Sequence, residues 1–312
     1  MTKFDTTQGT ITTARHGRTA RRAALRLART AVRDSEHHAG EMVHPWHFVS
    51  HLRPITRRLP ERKPPVTIAA GFVCSDGVVL CADTLLSANY RQHGLKVWFW
   101  TNDHLSVAVA GAGNYVLLKL AKEAIFKKLA VISGKARHVG WTVKHDVIEP
   151  TLASLHDDHI DKATDWDRAN GYGLSLLIGV KQLSDCVLYE TDRRACSEVQ
   201  GFSCVGSGAP VASYVASTMF SPMLPVLWGQ VSAAYVIQQT RAYGDDCGGE
   251  SNIVVLPHAG TARFVSRTEI GDLEAVGTGI HEAFGRVLFT ATDDNHVKDY
   301  DESLQGFLNA MQ

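Results

Sequence analysis

The spacing of apolar and polar positions changes character at Thr67. Residues 1–66 mix Arg, Thr, His and Pro with little apolar periodicity. One stretch within them, 19–33 (TARRAALRLARTAVR), sets Ala24, Leu25, Ala28 and Val32 near helical spacing and suits a basic amphipathic helix, but the ordinary reading of such a tail, and the one expected here, is a solvated, disordered extension. Pro60 and Pro64-Pro65 end any helix before the next segment begins. From Thr67, two apolar runs, TIAAGFVC and VVLCADT, flank Ser75-Asp76-Gly77 and predict a β-hairpin. Strands are predicted at 96–100 and 105–110, split by Asn102-Asp103. A helix is predicted from about Asn114 to Ile132, its apolar face formed by Val116, Leu117, Leu120, Ala121, Ala124, Ile125 and Leu129, with Gly134 as its C-cap.

A second helix is predicted over 139–156, kinked near Pro150, followed by a polar loop through Asn170. Strands then read at 172–180, 185–190 and 201–205. A helix follows Gly206-Ser207-Gly208, another spans 225–243, and strands return at 252–256 and 263–266. A last amphipathic helix is predicted over 269–290, carrying Leu273, Val276, Ile280, Phe284, Val287 and Leu288. Strands and helices come in runs rather than in strict alternation, which predicts an α+β fold of stacked antiparallel sheets flanked by helices. No internal repeat is visible.

Composition narrows this picture. With 45% apolar and 21% charged residues, the 312-residue chain has an ordinary globular balance. No stretch approaches the roughly 20 apolar residues of a membrane helix, and no compact secretory core opens the chain, so a cytoplasmic protein is expected, with no membrane partner. Cys74, Cys81, Cys186, Cys196, Cys204 and Cys247 lack zinc-ligand spacing and read as reduced thiols. Overall charge balances at 32 against 32. Residues 1–66, however, hold 13 Lys and Arg against 5 Asp and Glu, a charge of +8 that the rest of the chain offsets with −8. The expected organisation is therefore a basic N-terminal extension (1–66), a folded domain (67–266) and a C-terminal helical extension (267–312).

The hairpin carries a specific pattern. A threonine opens the first strand, Gly71 follows four residues later, Asp76-Gly77 forms the turn, and Asp83 lies sixteen residues after Thr67. Lys96 opens the next strand pair in GLKVWFW, Val109-Ala110-Gly111 follows, and Gly206-Ser207-Gly208 comes later. A strand threonine, an Asp–Lys pair or a GSG turn is commonplace alone; their order and spacing together are not. From Thr67 to Ser266 the chain resembles proteasome β-type subunits and their bacterial relatives, which are N-terminal-nucleophile hydrolases. The C-terminal S-G-G turn of that family is less well kept, because Cys247-Gly248-Gly249 has cysteine in the serine position and Asp245 and Asp246 crowd the place of a supporting aspartate.

The resemblance implies a four-layer αββα sandwich and a threonine-type peptidase or amidohydrolase with Thr67 as nucleophile. It also implies that Asp83 and Lys96 form an orienting pair, that the Gly111 amide stabilises the oxyanion, and that Ser207 supports the site, with Asp245, Asp246 and Cys247 as weaker candidates. No cofactor and no metal are implied. The partners implied are a peptide or protein substrate and further copies of the chain in a ring. The base in this chemistry is the threonine's own α-amine, whose pKa of about 7.7–8.0 leaves a useful neutral fraction near neutral pH.

Thr67 is internal in the sequence as written, and three routes address this. Self-cleavage would free it, although β-branched Val66 stands where the family has glycine. Translation starting at a GTG codon for Val66 would expose it after methionine removal. Alternatively the protein is a catalytically inactive ring subunit, like the α-type subunits, which usually lack the catalytic threonine and lysine. Two further patterns carry weaker chemistry. His156-Asp157-Asp158-His159, with Asp161, Asp165 and Asp167, has metal-ligand side-chain types but reads as solvated charge. The arginines at 15, 18, 21, 22, 26, 29 and 33 have the charge to track phosphates, but no interleaved aromatics or reading motif accompany them, so no nucleic-acid partner is expected.

Overall fold

A computed structural model describes residues 67–87, 91–132, 142–165, 167, 172–183, 185–244 and 247–292, the side chains of 87, 91, 92 and 284–292 excepted. The basic helix at 19–33, the Gly134 cap and Asp245 and Asp246 lie outside the described residues. The described residues divide into two units, one of 67–274 and one of 275–292. The first carries all the described strands.

These are β1 (Ala69–Cys74), β2 (Gly77–Asp83), β3 (Leu85–Ser87), β4 (Arg91–His93), β5 (Val97–Thr101), β6 (Leu105–Gly113), β7 (Leu174–Gln182), β8 (Asp185–Asp192), β9 (Ala195–Glu198), β10 (Phe202–Val205), β11 (Ser251–Pro257) and β12 (Arg263–Phe264). Two five-stranded sheets, ordered β10-β1-β2-β11-β12 and β5-β6-β7-β8-β9, stack face to face, and β3 pairs with β4 as a small separate ribbon. Every pairing among them is antiparallel. Helix α1 (Tyr115–Ile132) and helix α2 (Glu149–Leu155) cover the second sheet, while α3 (Ala209–Met219) and α4 (Val226–Tyr243) cover the first. Helix α5 spans Arg267–Thr292. The α+β sandwich expected from the element order is the architecture observed.

The core lies in layers. Ala69, Val78, Leu80, Ala82, Ala108, Ala110, Leu177, Leu188, Val254 and Leu256 fill the space between the sheets. Val107, Val109, Leu176 and Ile178, on the opposite pleat, pack against Leu118, Ala121, Ile125, Leu129 and Leu152 of the helices. Burial on both faces explains why β2 is continuously apolar instead of alternating. Gly71 and Gly179 let the sheets approach: a Cβ on Gly71 would lie 2.9 Å from Leu188, and one on Gly179 would lie 2.8 Å from both Leu80 and Leu256.

Some local expectations change. In α1 the buried positions are Leu117, Leu118, Ala121, Ile125 and Leu129, whereas Val116 is 64% exposed and Leu120 is 37% exposed. The helix is therefore turned so that Leu118, absent from the expected face, replaces them. Asn114 caps its start through Oδ1, which accepts from Val116 N at 3.0 Å. The helix expected to kink at Pro150 winds as a π turn over Val143–Ile148, as α-helix from Glu149, and as a π turn again over His156–Ile160. Proline lacks an N–H, and the change of winding falls beside it. Strands β3, β4 and β9 are not legible in the sequence, being short, and in β9 polar and exposed except for Cys196.

Asp76 does more than turn the hairpin. Its Oδ1 accepts from Val226 N at 2.5 Å, capping α4 from 150 positions away in the chain, and its carbonyl accepts from His258 N at 2.7 Å. Replacing Asp76 with Ala should cost about 1 kcal/mol through the lost cap, a fall of about 2–4 °C in a thermal melt. Asp76→Asn should recover most of it.

Candidate functional site

Thr67 lies two residues before β1, where that strand's ladder with β10 continues toward Gly206-Ser207-Gly208. Its amide N donates to Ser207 Oγ at 3.1 Å, and its carbonyl accepts from Gly208 N at 3.3 Å. Both polar groups of its backbone are thus held by one turn. Gly206 adopts φ +104°, and a Cβ there would lie 2.1 Å from the Thr67 carbonyl oxygen, so only glycine fits. Gly206→Ala should destabilise the fold by about 2 kcal/mol or more, lowering a melting midpoint by several degrees, because it combines backbone strain with direct overlap. An unchanged midpoint would show that Thr67 is not held in this way.

Next to Ile68, the residue after Thr67, lies a pair of charges with no solvent exposure. Lys96 Nζ donates to Asp83 Oδ1 at 2.7 Å and to the Leu85 carbonyl. Asp83 Oδ1 also accepts from Ile68 N at 3.2 Å, and Oδ2 accepts from Gly248 N at 3.4 Å. Two backbone amides and an ammonium thus fix the carboxylate at the end of β2, directly across the hairpin from Ile68. Burial holds the Lys96 pKa below the ordinary lysine range, with Asp83 beside it acting in the opposite direction.

The structure therefore brings together four of the sequence-predicted residues, Thr67, Asp83, Lys96 and Ser207. Cys247 is close by: it is buried, a Cβ on Gly208 would lie 2.8 Å from its Sγ, and it is near enough to Lys96 to affect that residue's ionisation. Gly111 is placed differently. Its amide donates to the Lys96 carbonyl at 3.1 Å as part of the β5–β6 ladder, whereas the amide that donates to Thr67 Oγ1, at 3.3 Å, is that of Gly113. Gly113 has φ +113°, and a Cβ there would lie 2.2 Å from the Gly173 carbonyl oxygen. The sequence shows both glycines in VAGAGN, but only the end of β6 reveals which one turns its N–H toward the threonine.

The other candidate clusters serve local contacts. His156 Nδ1 lies 3.3 Å from Asp161 Oδ1, and Arg194 Nη2 bridges Asp157 at 2.6 Å and Asp161 at 2.5 Å. Among the described residues no group of three or more His, Cys, Asp or Glu is placed to hold a metal ion. No described helix is long and apolar enough to cross a membrane.

No protein-family model matches the chain. A proteasome subunit alpha of Methanococcus maripaludis is 22% identical over 218 residues, covering 69% of this chain and 79% of that protein. A second, from another strain of the same organism, is 28% identical over 178 residues, covering 56% of this chain and 64% of the relative's length. This chain is similar to proteasome subunits. Among solved structures, Anbu from Yersinia bercovieri, described as an ancestral beta-subunit, matches with a TM-score of 0.57 at 12% identity over 73% of this chain and 98% of that one. An Anbu variant from a Hyphomicrobium species matches with a TM-score of 0.56 at 14% identity, covering 70% and 96%. Another match, the helical assembly of the Anbu complex from Pseudomonas aeruginosa, has a TM-score of 0.54 at 13% identity, covering 70% and 96%. These structures agree with the sandwich fold of this proteasome-like chain. Its sequence relatives are named as alpha subunits, not as β-type subunits.

Proposed function

We propose that this chain is a proteasome-like subunit bearing an assembled threonine amidohydrolase site, which acts on peptide or amide bonds once Thr67 has a free α-amine. The observation that carries this reading is the fully buried Lys96–Asp83 pair, whose carboxylate accepts from the amide of Ile68, the residue that follows Thr67. Removing two charges from water costs several kcal/mol per ion, and a buried ion pair seldom stabilises a fold more than apolar residues of the same volume would. A purely structural sandwich gains little from such a pair; a site that must orient a nucleophile and bias a nearby amine does.

With Thr67 N-terminal, its amine takes the Oγ1 proton as Oγ1 attacks the substrate carbonyl. The positive charge of Lys96 keeps that amine's pKa down, and Ser207 Oγ orients it. The Gly113 amide, which already faces Thr67 Oγ1, is the donor we assign to the developing oxyanion, in place of Gly111. The amine then gives its proton to the leaving nitrogen, and water hydrolyses the resulting ester. Residues 1–66 would be removed by processing before Thr67, or would be absent if translation starts at Val66. The substrate is a peptide or protein, and the subunit works with copies of itself in a cytoplasmic assembly.

A second reading, a catalytically inactive structural ring subunit, is favoured by the alpha-subunit names of the sequence relatives and by the Thr67 nitrogen being an amide in this chain. Labelling of Thr67 by a β-lactone, before and after its amine is freed, separates the two.

A further inference from the structure

The loop that carries Gly248 onto Asp83 is fixed from outside the site. Gly248 O accepts from Leu85 N at 3.1 Å, and Glu250 N donates to Thr84 Oγ1 at 2.8 Å, which ties the loop to the start of β3. A third tie comes from the helical layer. Arg241, in the last turn of α4, donates through Nη1 to the Gly249 carbonyl at 2.8 Å and through Nη2 to Glu274 Oε1 at 2.7 Å. Glu274 belongs to α5, and its Oε1 also accepts from Ser251 Oγ at 3.0 Å. Ser251 is the direct cross-strand partner of Asp83. The Arg241 and Glu274 side chains are only 22% and 21% exposed, so this pair is shielded more than the surface pairs on the same helix.

Gly249 itself has φ +78°, and a Cβ there would lie 2.3 Å from Thr84 Oγ1. A loop packed this closely places Gly248 N–H on Asp83 Oδ2 only if the Gly249 carbonyl stays where Arg241 holds it. The guanidinium suits the task because its planar fork reaches a carbonyl and a carboxylate at once, which an ammonium cannot do with the same fixed geometry.

From this geometry we infer that Arg241 and Glu274 are positioning residues, through which helix α5 holds the 247–250 loop against Asp83 and so sets the Asp83–Lys96–Thr67 arrangement. This rests on the proposed amidohydrolase function only for its catalytic consequence. The mechanical part, protection of the loop, stands independently of any activity.

The test uses the full chain in two measurements. In the first, hydrogen–deuterium exchange is followed in the peptide spanning 247–250. Arg241→Ala should speed exchange there by about tenfold or more, Glu274→Gln by less, and Arg241→Lys should restore part of the protection. Arg263→Ala is the control, because it removes an exposed ion pair to Glu269 on the same helix without touching the loop. In the second, the chain carries an endoprotease site ending at position 66 and is cut after folding, and Thr67 is acylated with a β-lactone. Arg241→Ala should lower the maximal acylation rate about tenfold with little change in the half-saturating lactone concentration, and Arg263→Ala should change neither. Unaltered loop exchange in a folded Arg241→Ala protein overturns the inference, as does faster exchange with an unaltered acylation rate. If the cut parent chain is inert, the proposed function fails, and the exchange measurement still decides whether Arg241 and Glu274 hold the loop.

Discussion

A chain cut after position 66 should acylate at Thr67 Oγ1 when treated with a β-lactone, whereas the intact chain should not. The difference follows from the geometry around one nitrogen. In the intact chain that nitrogen is a peptide amide donating to Ser207 Oγ at 3.1 Å, with no lone pair available to take a proton. Cutting the peptide bond converts it into an amine at the same place, beside a hydroxyl that already faces the Gly113 amide. The expected gain is about three orders of magnitude or more in rate, the scale seen when one member of a nucleophile–base unit is supplied or removed. Intact-protein mass spectrometry before and after cutting gives the added mass, and peptide mapping places it on Thr67. Thr67→Ala should abolish it, and Gly111 variants that fold should retain more activity than Gly113 variants. A cut, folded chain that never acylates would favour the structural ring subunit.

The second large effect concerns the buried charges, where stability and catalysis should separate. Asp83→Ala leaves the Lys96 ammonium without its carboxylate partner at a position with no solvent exposure. Breaking such a pair costs about 3–5 kcal/mol, a large part of the total stability of a domain. Removing both charges in Asp83→Asn with Lys96→Met keeps an acceptor for Ile68 N and eliminates the stranded charge. The double variant should return to within about 1–2 kcal/mol of the parent in urea unfolding. After cutting, it should still lose about three orders of magnitude in acylation rate, because nothing then biases the amine or anchors the site. A double variant as unstable as Asp83→Ala would mean that the pair serves the fold, and one that acylates normally would remove Asp83 and Lys96 from the mechanism.

Much of this site is legible along the chain because a hairpin converts sequence spacing into spatial proximity. Thr67 and Asp83 are sixteen positions apart, and the turn at Ser75-Asp76 folds that interval in half, so Asp83 comes to rest beside Ile68 with its carboxylate on that residue's amide. Lys96 enters through the next strand pair, and Ser207 through a turn whose glycines mark it in the sequence. The face of α1 is less legible. Leu117, Leu118 and Leu120 are chemically alike, yet the first two are buried and Leu120 is not, Leu118 being selected by packing with Val107, Val109 and Leu176.

The roles of the glycine amides are not legible at all. Gly111 and Gly113 are identical in chemistry and two positions apart on one strand, and the pleat gives them the same side. Gly111 remains inside the ladder and spends its N–H on Lys96, while Gly113, at the strand's end with positive φ, turns its N–H to Thr67. Arg241 and Glu274 are equally hidden, since a contact across 33 positions between two helices has no local signature.

By itself the sequence determined the order of the longer elements and the α+β sandwich, because apolar periodicity and turn chemistry act over short stretches of chain, while the candidate set Thr67, Asp83, Lys96 and Ser207 rested on the resemblance to proteasome subunits. Tertiary structure decided which amide meets the threonine, how the Asp83–Lys96 pair is satisfied, and what holds the loop behind it. Those depend on where strands end and which groups meet across the layers, and such directional contacts form only when the sheets and helices have packed.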